Sequence, residues 1–246
     1  MTSTHLQPLL QARALCGWYG AAQALFDVEL RVQRGQVVAL MGRNGASKST
    51  VLKALMRLLP HQQGQVRFLG HDISALEPCQ VARLGLGYVP EDRRIFTDLT
   101  VRENLDVGGQ APRHWPDGSA APQWTPRALY DLFPNLATMT ERLAGRMSGG
   151  EQQMLTVART LMGNPFLVLL DEPSEGVAPV IVEQMVQAIL ELKRQGVGIL
   201  LSEQNLFFAA LVADHAYVLE KGQVRFQGTM AELQADEAVR SSYLGL

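Results

Sequence analysis

The segment Gly42-Arg43-Asn44-Gly45-Ala46-Ser47-Lys48-Ser49-Thr50 follows directly on the apolar run Val37-Val38-Ala39-Leu40-Met41. A buried strand that runs into a glycine-rich turn and then into a helical pattern is an arrangement that cradles phosphate. Backbone N–H groups from Gly42, Asn44, Gly45, Ala46, Ser47 and Thr50, together with the start of the next helix, are expected to converge on the anion. Lys48 would neutralise the β and γ oxygens of a nucleoside triphosphate, and the Ser49 hydroxyl would ligate magnesium. The pattern G-x-x-x-x-G-K-[ST] has glycine where this chain has Ser47. Ser47 keeps its N–H, and a helical backbone there would accept its Cβ, so the expected difficulty is lack of space against the phosphate.

A second chemical pair ends another apolar run, where Phe166-Leu167-Val168-Leu169-Leu170 leads into Asp171-Glu172-Pro173. Burying unpaired carboxylates is costly, so two acids at the end of a core strand point to a task. Asp171 is within reach of magnesium, directly or through water, and Glu172 is suited to orient or deprotonate a water near the γ-phosphate. Ser202-Glu203-Gln204-Asn205 follows the buried run 196–201. That is the carboxyl end of a strand, where α/β sheets bind ligands.

Placing these groups together requires strands separated by helices. Residues 28–32 and 65–69 alternate as strands, 85–89 lead into Pro90, and 51–56 carry a helical pattern that ends near Pro60. From Pro126 to Arg146 the pattern is helical again, and 181–195 predicts a helix with Val182, Met185, Ile189 and Leu190 facing inward. Alternation on either side of Lys221-Gly222 predicts a terminal hairpin, followed by a short helix from Met230. Between Pro112 and Pro126 the prolines and Gly118 predict a loop or mobile insertion.

Composition narrows the class further. With 246 residues, 47% hydrophobic and 19% charged, the chain is expected to form an ordinary globular domain with a large core. A net charge of −2 gives no general reason to expect nucleic acid. Cys16 and Cys79 lack metal-ligand spacing and read as free thiols in a reducing compartment. The N-terminus has no basic region followed by a long apolar stretch, and no run approaches the roughly 18 apolar residues of a membrane span, so any membrane role is expected to be peripheral.

One further run, Met147-Ser148-Gly149-Gly150-Glu151-Gln152-Gln153, lies one strand upstream of the acidic pair. With residues 42–50 and Leu170-Asp171-Glu172-Pro173, in this order and spacing, the chain resembles the nucleotide-binding subunit of an ABC transporter. More narrowly, it is similar to the second ATPase subunit of branched-chain amino acid importers, and the resemblance covers nearly the whole chain.

The resemblance implies an α/β fold: a P-loop NTPase core of ABC type with an antiparallel β subdomain and an inserted helical subdomain. It implies a single nucleotide-binding domain over 1–246, with the core and β subdomain in 1–91 and 160–246 and the helical subdomain in 92–159. Tyr19 resembles the aromatic that stacks on adenine, with Trp18 or a plain edge-strand role as alternatives. Glu91 stands where most members have a magnesium-sensing glutamine, so Ser49, Glu91 and Asp171 become the implied metal set. Arg93 and Arg94 read as subdomain or partner contacts.

Ser148, Gly149 and Gly150 look like the signature loop that meets the γ-phosphate held by an opposing subunit. Glu175 and Val177 occupy the dimer-communicating loop in place of leucines. Gln204 replaces the usual histidine, as in the branched-chain group, and Ser202 replaces an aliphatic residue and puts a hydroxyl into the core. Glu172, Gln204 and Lys48 are the implied catalytic residues, with ATP and Mg2+ as cofactors.

Implied partners are a second nucleotide-binding subunit in a homodimer or heterodimer, transmembrane permease subunits and an upstream substrate-binding protein, with no nucleic acid. The implied location is peripheral, on the cytoplasmic face of the inner or plasma membrane. Residues 114–124 and the helical subdomain, with Glu91 at its junction, are expected to border a groove for a short cytoplasmic helix of the permease. Whether leucine, a broader amino acid set, an amide or urea crosses that partner stays open. A regulatory or structural subunit with hydrolysis impaired by Ser47 is the alternative. A non-transport ABC ATPase would be expected to carry tandem cassettes or a long coiled-coil insertion.

Overall fold

The computed structural model describes residues 7–245. Strands β1 (Leu10–Tyr19) and β2 (Ala22–Val32) pair through a tight turn and precede β3 (Val37–Met41) and α1 (Lys48–Leu55). Next come β4 (His61–Phe68), β5 (His71–Asp72), α2 (Pro78–Arg83) and β6 (Leu86–Val89). A helical stretch follows: α3 (Val101–Gly108), α4 (Pro126–Leu132), α5 (Pro134–Ala137) and α6 (Gly149–Leu161). The chain closes with β7 (Leu167–Asp171), α7 (Pro179–Arg194), β8 (Gly198–Glu203), α8 (Leu206–Val212), β9 (His215–Glu220), β10 (Gln223–Thr229), α9 (Met230–Ala235) and α10 (Glu237–Val239).

Two sheets organise these elements. One is antiparallel in the order β2-β1-β4-β5, and the other runs β10-β9-β3-β8-β7-β6. In the second, β9, β3, β8, β7 and β6 are parallel to their neighbours, and only β10 turns back. A parallel sheet covered on both faces needs strands that are apolar throughout, and β3 is buried at all five positions. Its side chains divide between two cores. Val37, Ala39 and Met41 pack with α6, α7 and the helical stretch, whereas Val38 and Leu40 pack with α1 and the antiparallel sheet.

Register then decides what meets at the carboxyl edge. Met41 pairs with Glu203 and Asp171 with Ser202. The turn after β3, the acids after β7 and the polar end of β8 therefore share one rim, the usual ligand edge of such sheets.

One expectation from the sequence is met in its first form and one needs correction. Residues 112–126 form the expected loop, irregular and packed against the rest of the chain. Trp115 packs against Phe166 with the rings tilted by 50° and centroids 4.8 Å apart, the Arg34 guanidinium lies 3.9 Å above Trp115, and Trp124 enters the other core. Asn164 ties the segment down, accepting from Trp124 N at 2.7 Å and donating to Gln110 O at 2.8 Å. Prolines exclude regular structure here, but two buried tryptophans supply the apolar area that fixes the loop. On α7, Leu190 is half-exposed, and Met185, Ala188, Ile189 and Leu192 form the inward face.

Candidate functional site

The turn between β3 and α1 is built from left-handed backbone. Gly45 has φ 82°, and Ser47, the residue before α1, has φ 77° and ψ 24°. The right-handed helical backbone that would accept a Cβ at Ser47 is therefore absent, and the left-handed conformation itself carries strain. A residue with a Cβ is disfavoured in this region by about 1–2 kcal/mol. The Ser47 hydroxyl makes no capping bond in return. At Gly42, φ 156°, an added Cβ would sit 2.6 Å from the Leu219 carbonyl oxygen, so a side chain is excluded there by contact.

Such a turn directs consecutive N–H groups into one concavity, and the first N–H groups of α1 have no partner within the helix. The concavity opens into a cleft of about 330 Å³ lined by residues 44–50, Glu91, Glu172 and Glu175. It suits a phosphate chain bound to a cation, since its lining combines the turn residues and Lys48 with the carboxylates of Glu91, Glu172 and Glu175.

Lys48 is buried and all its donors are engaged. Its Nζ lies 2.9 Å from Glu172 Oε1, 2.8 Å from Gly42 O and 3.4 Å from Arg43 O. Asp171, also buried, accepts three hydroxyl bonds: from Ser49 Oγ at 2.8 Å and Ser202 Oγ at 2.6 Å on Oδ1, and from Tyr88 at 3.2 Å on Oδ2. Glu172 is left-handed, φ 47°, and its N–H reaches both the carbonyl and the hydroxyl oxygen of Ser202 at 3.1 Å.

Glu203 is buried at the end of β8, where it accepts from Ser174 N at 3.0 Å and Asn205 N at 3.2 Å. Burial pushes its carboxyl up to about 7 against the opposing effect of those bonds. Burial first, then the nearby Glu175, Asp171 and Glu172 charges, raises Glu91 as well. Burial and the Asp171 carboxylate push the Tyr88 phenol far up, which keeps it a hydrogen-bond donor.

Ser148 heads α6 in an extended conformation, φ −65° and ψ 161°. Its Oγ accepts from Glu151 N at 3.4 Å while Glu151 Oε2 accepts from Ser148 N at 2.7 Å. This reciprocal cap follows from the Ser-x-x-Glu spacing. A Cβ on Gly149 would fall 2.8 Å from the Arg93 guanidinium, and one on Gly150 would fall 2.9 Å from Ile181. Arg94 contributes its carbonyl to Arg159 Nη2 at 2.6 Å. Arg93 and Arg94 therefore make contacts with α6 within the chain.

Not every candidate residue meets at the cleft. Ser148, Gly149 and Gly150 do not line it, nor do Gln204, which is exposed, and Tyr19, which stands 46% exposed at the end of β1. Trp18 is partly buried, with its ring 4.8 Å from that of His61. Sequence reasoning missed Tyr88 and the hold of Glu203 on Ser174. The signal available was a polar group at or next to the end of three neighbouring apolar strands: Tyr88, Asp171 and Glu203.

Among the described residues no group of three or more His, Cys, Asp or Glu side chains could hold a metal ion. Ser49 and Asp171 nevertheless fit Mg2+, which takes one or two protein oxygens and completes its shell with phosphate and water. No helix of the described residues is long and apolar enough to cross a membrane. A separate groove of about 470 Å³ runs between β6, α3 and α6, lined by Met56, Tyr88, Phe96, Val107 and Arg159 among others. Residues 114–124 do not border it, because Trp115 packs beside Arg34 and Phe166.

Comparison with known proteins gives a family model described as ABC transporter that matches residues 25–175. The high-affinity branched-chain amino acid transport ATP-binding protein BraG of Pseudomonas aeruginosa is 43% identical, over 93% of this chain and 96% of its own. The lipopolysaccharide export system ATP-binding protein LptB of Escherichia coli is 34% identical over 96% and 97% of the two chains. A nucleotide-free ATP-binding cassette from an ABC transporter superposes with TM-score 0.78 at 27% identity, covering 95% of this chain and 97% of that one.

Proposed function

This chain belongs to the ABC transporter family, whose ATPases couple hydrolysis to transport, and on that premise we propose that it drives the import of branched-chain or related amino acids. The observation that carries this reading is the 43% identity to BraG along nearly the full length of both chains, joined to a cleft lined by Lys48, Ser49 and Glu172, with Asp171 buried behind it and bonded to Ser49. Relatives in lipopolysaccharide export are less similar, at 34%, and make export the second reading. Uptake of labelled leucine, isoleucine and valine by cells lacking the gene, before and after complementation, tests it. Unchanged uptake with a defect in lipopolysaccharide delivery would favour export.

In this reading the P-loop N–H groups and Lys48 bind the β and γ phosphates of ATP. Ser49 and Asp171 hold Mg2+, with Glu91 at the cleft wall, and the cation supplies charge neutralisation at the phosphates. Glu172, released from Lys48 by the incoming phosphate, orients and deprotonates the attacking water. Ser148, Gly149 and Gly150 do not line this cleft, and in this reading they serve the nucleotide of a second subunit packed head to tail, where Ser148 Oγ keeps its own proton to donate. Gln204 reaches the γ-phosphate as a neutral donor, and Tyr19 stacks on the base.

Residues 92–159 act as the helical subdomain, and the described parts of 1–91 and 160–246 form the ATP-binding core. The groove between β6, α3 and α6 receives a cytoplasmic helix of the permease, which places the chain peripherally on the cytoplasmic face of the membrane, with a substrate-binding protein upstream. Crosslinking from Phe96→Cys and Val107→Cys to the permease checks that placement. Crosslinks confined to residues 218–245 would overturn it.

A further inference from the structure

Ser202 is wholly buried, and its hydroxyl does two things at once. It donates to Asp171 Oδ1 at 2.6 Å and accepts from the N–H of Glu172 at 3.1 Å. A hydroxyl-to-carboxylate bond of that length is in the charge-assisted range. The Glu172 N–H also has the Ser202 carbonyl at 3.1 Å, so the bond with no backbone substitute is the one to Asp171. The contact exists because β7 and β8 are parallel, with Asp171 opposite Ser202, which sets the two side chains side by side.

We infer that Ser202 is a positioning residue that fixes the Asp171 carboxylate, and through it the cation that accompanies the nucleotide. This rests on the reading of Asp171 as a metal-holding group. Three hydroxyls hold Asp171, and their situations differ. Ser49 lies in the P-loop and serves the metal in the same reading, and Tyr88 holds the other oxygen at the longer distance of 3.2 Å. Among the described residues the Ser202 hydroxyl bonds only to Asp171 and Glu172, from inside the sheet, so its grip does not depend on what fills the cleft. An aliphatic side chain there would leave a buried carboxylate with one donor fewer, an unfavourable change in a low-dielectric interior.

The test uses the full chain with a non-hydrolysable ATP analogue and measures Mn2+ affinity by electron paramagnetic resonance. Ser202→Ala and Ser202→Val are expected to weaken Mn2+ by roughly tenfold, the range for losing a partner of a metal-ligating group. Ser202→Thr, equal in shape to valine but keeping the hydroxyl, is expected within about twofold of the parent. Analogue affinity in EDTA is expected to stay constant across the three variants, which also confirms that each is folded. Ser202→Ala binding Mn2+ like the parent, while Asp171→Asn weakens it, would overturn the inference alone. So would Ser202→Thr performing no better than Ser202→Val. If Asp171→Asn itself leaves Mn2+ affinity unchanged, the reading of Asp171 fails and the inference falls with it.

Discussion

Two helices of this chain begin at a serine, and the two serines behave in opposite ways. Ser148 ahead of α6 sits in extended backbone and closes a capping box with Glu151. Ser47 ahead of α1 sits in left-handed backbone and caps nothing. The capping box at α6 engages the N–H groups of Ser148 and Glu151 within the chain, whereas the α1 terminus, beside a buried lysine, has no side-chain cap and leaves its N–H groups to an outside anion. In the proposed reading the α1 terminus is therefore the phosphate site, with N–H groups left for a ligand to engage. The α6 terminus holds its shape without one, as expected of a surface offered to a partner.

The largest test of this contrast removes Lys48, the buried cation of the open terminus. Lys48→Ala is expected to lose about 2–5 kcal/mol of ATP affinity, roughly thirtyfold or more, in calorimetric titration. Retained affinity would show that the N–H groups alone suffice and would break the assignment. Glu172→Gln comes next. Turnover is expected to fall by about 10² or more, while ATP binds more tightly because the carboxylate no longer competes for Lys48, and an ATP-bound dimer accumulates on size-exclusion chromatography. Phosphate release and titration both matching the parent would remove Glu172 from the mechanism.

The serines themselves give smaller, opposite effects. Ser148→Ala is expected to destabilise the fold by about 1 kcal/mol through loss of its cap, with ATP affinity of the isolated chain unchanged. Ser47→Gly is expected to stabilise it by about 1 kcal/mol, a rise in Tm of about 2–4 °C, because glycine accepts φ 77° without a Cβ penalty. Ser47→Ala, which keeps the Cβ and loses a hydroxyl that bonds nothing, is expected within about 0.5 kcal/mol of the parent. Thermal unfolding of the three variants side by side would refute the contrast if Ser47→Ala and Ser148→Ala lost the same stability.

Much of the architecture was legible because burial leaves a mark on residue order. Strands covered on both faces must be continuously apolar, so β3, β7 and β8 could be read from runs such as Val37-Val38-Ala39-Leu40-Met41. The polar groups closing those runs stood out for the same reason. Residues 112–126 read correctly as a loop but gave no sign of its packing, because proline and glycine report only that regular structure is absent. The packing of Trp115 on Phe166 and Arg34 depends on partners about 50 and 80 residues away along the chain.

What the order of residues determined alone was the chemistry available: a lysine and serine in a glycine-rich turn, two acids after a strand, and a serine-glycine pair before a helix. Side-chain types and their local spacing carry that information, since a phosphate cradle, a capping box and a buried strand each span only a few residues. What tertiary structure alone decided was conformation and company. The left-handed backbone of Ser47 arises from the sharp turn between β3 and α1, and the grip of Ser49, Tyr88 and Ser202 on Asp171 arises from register across strands far apart in sequence. Backbone dihedrals at a turn and hydrogen bonds across a sheet are set by where the whole chain closes, and no short window of residues contains that constraint.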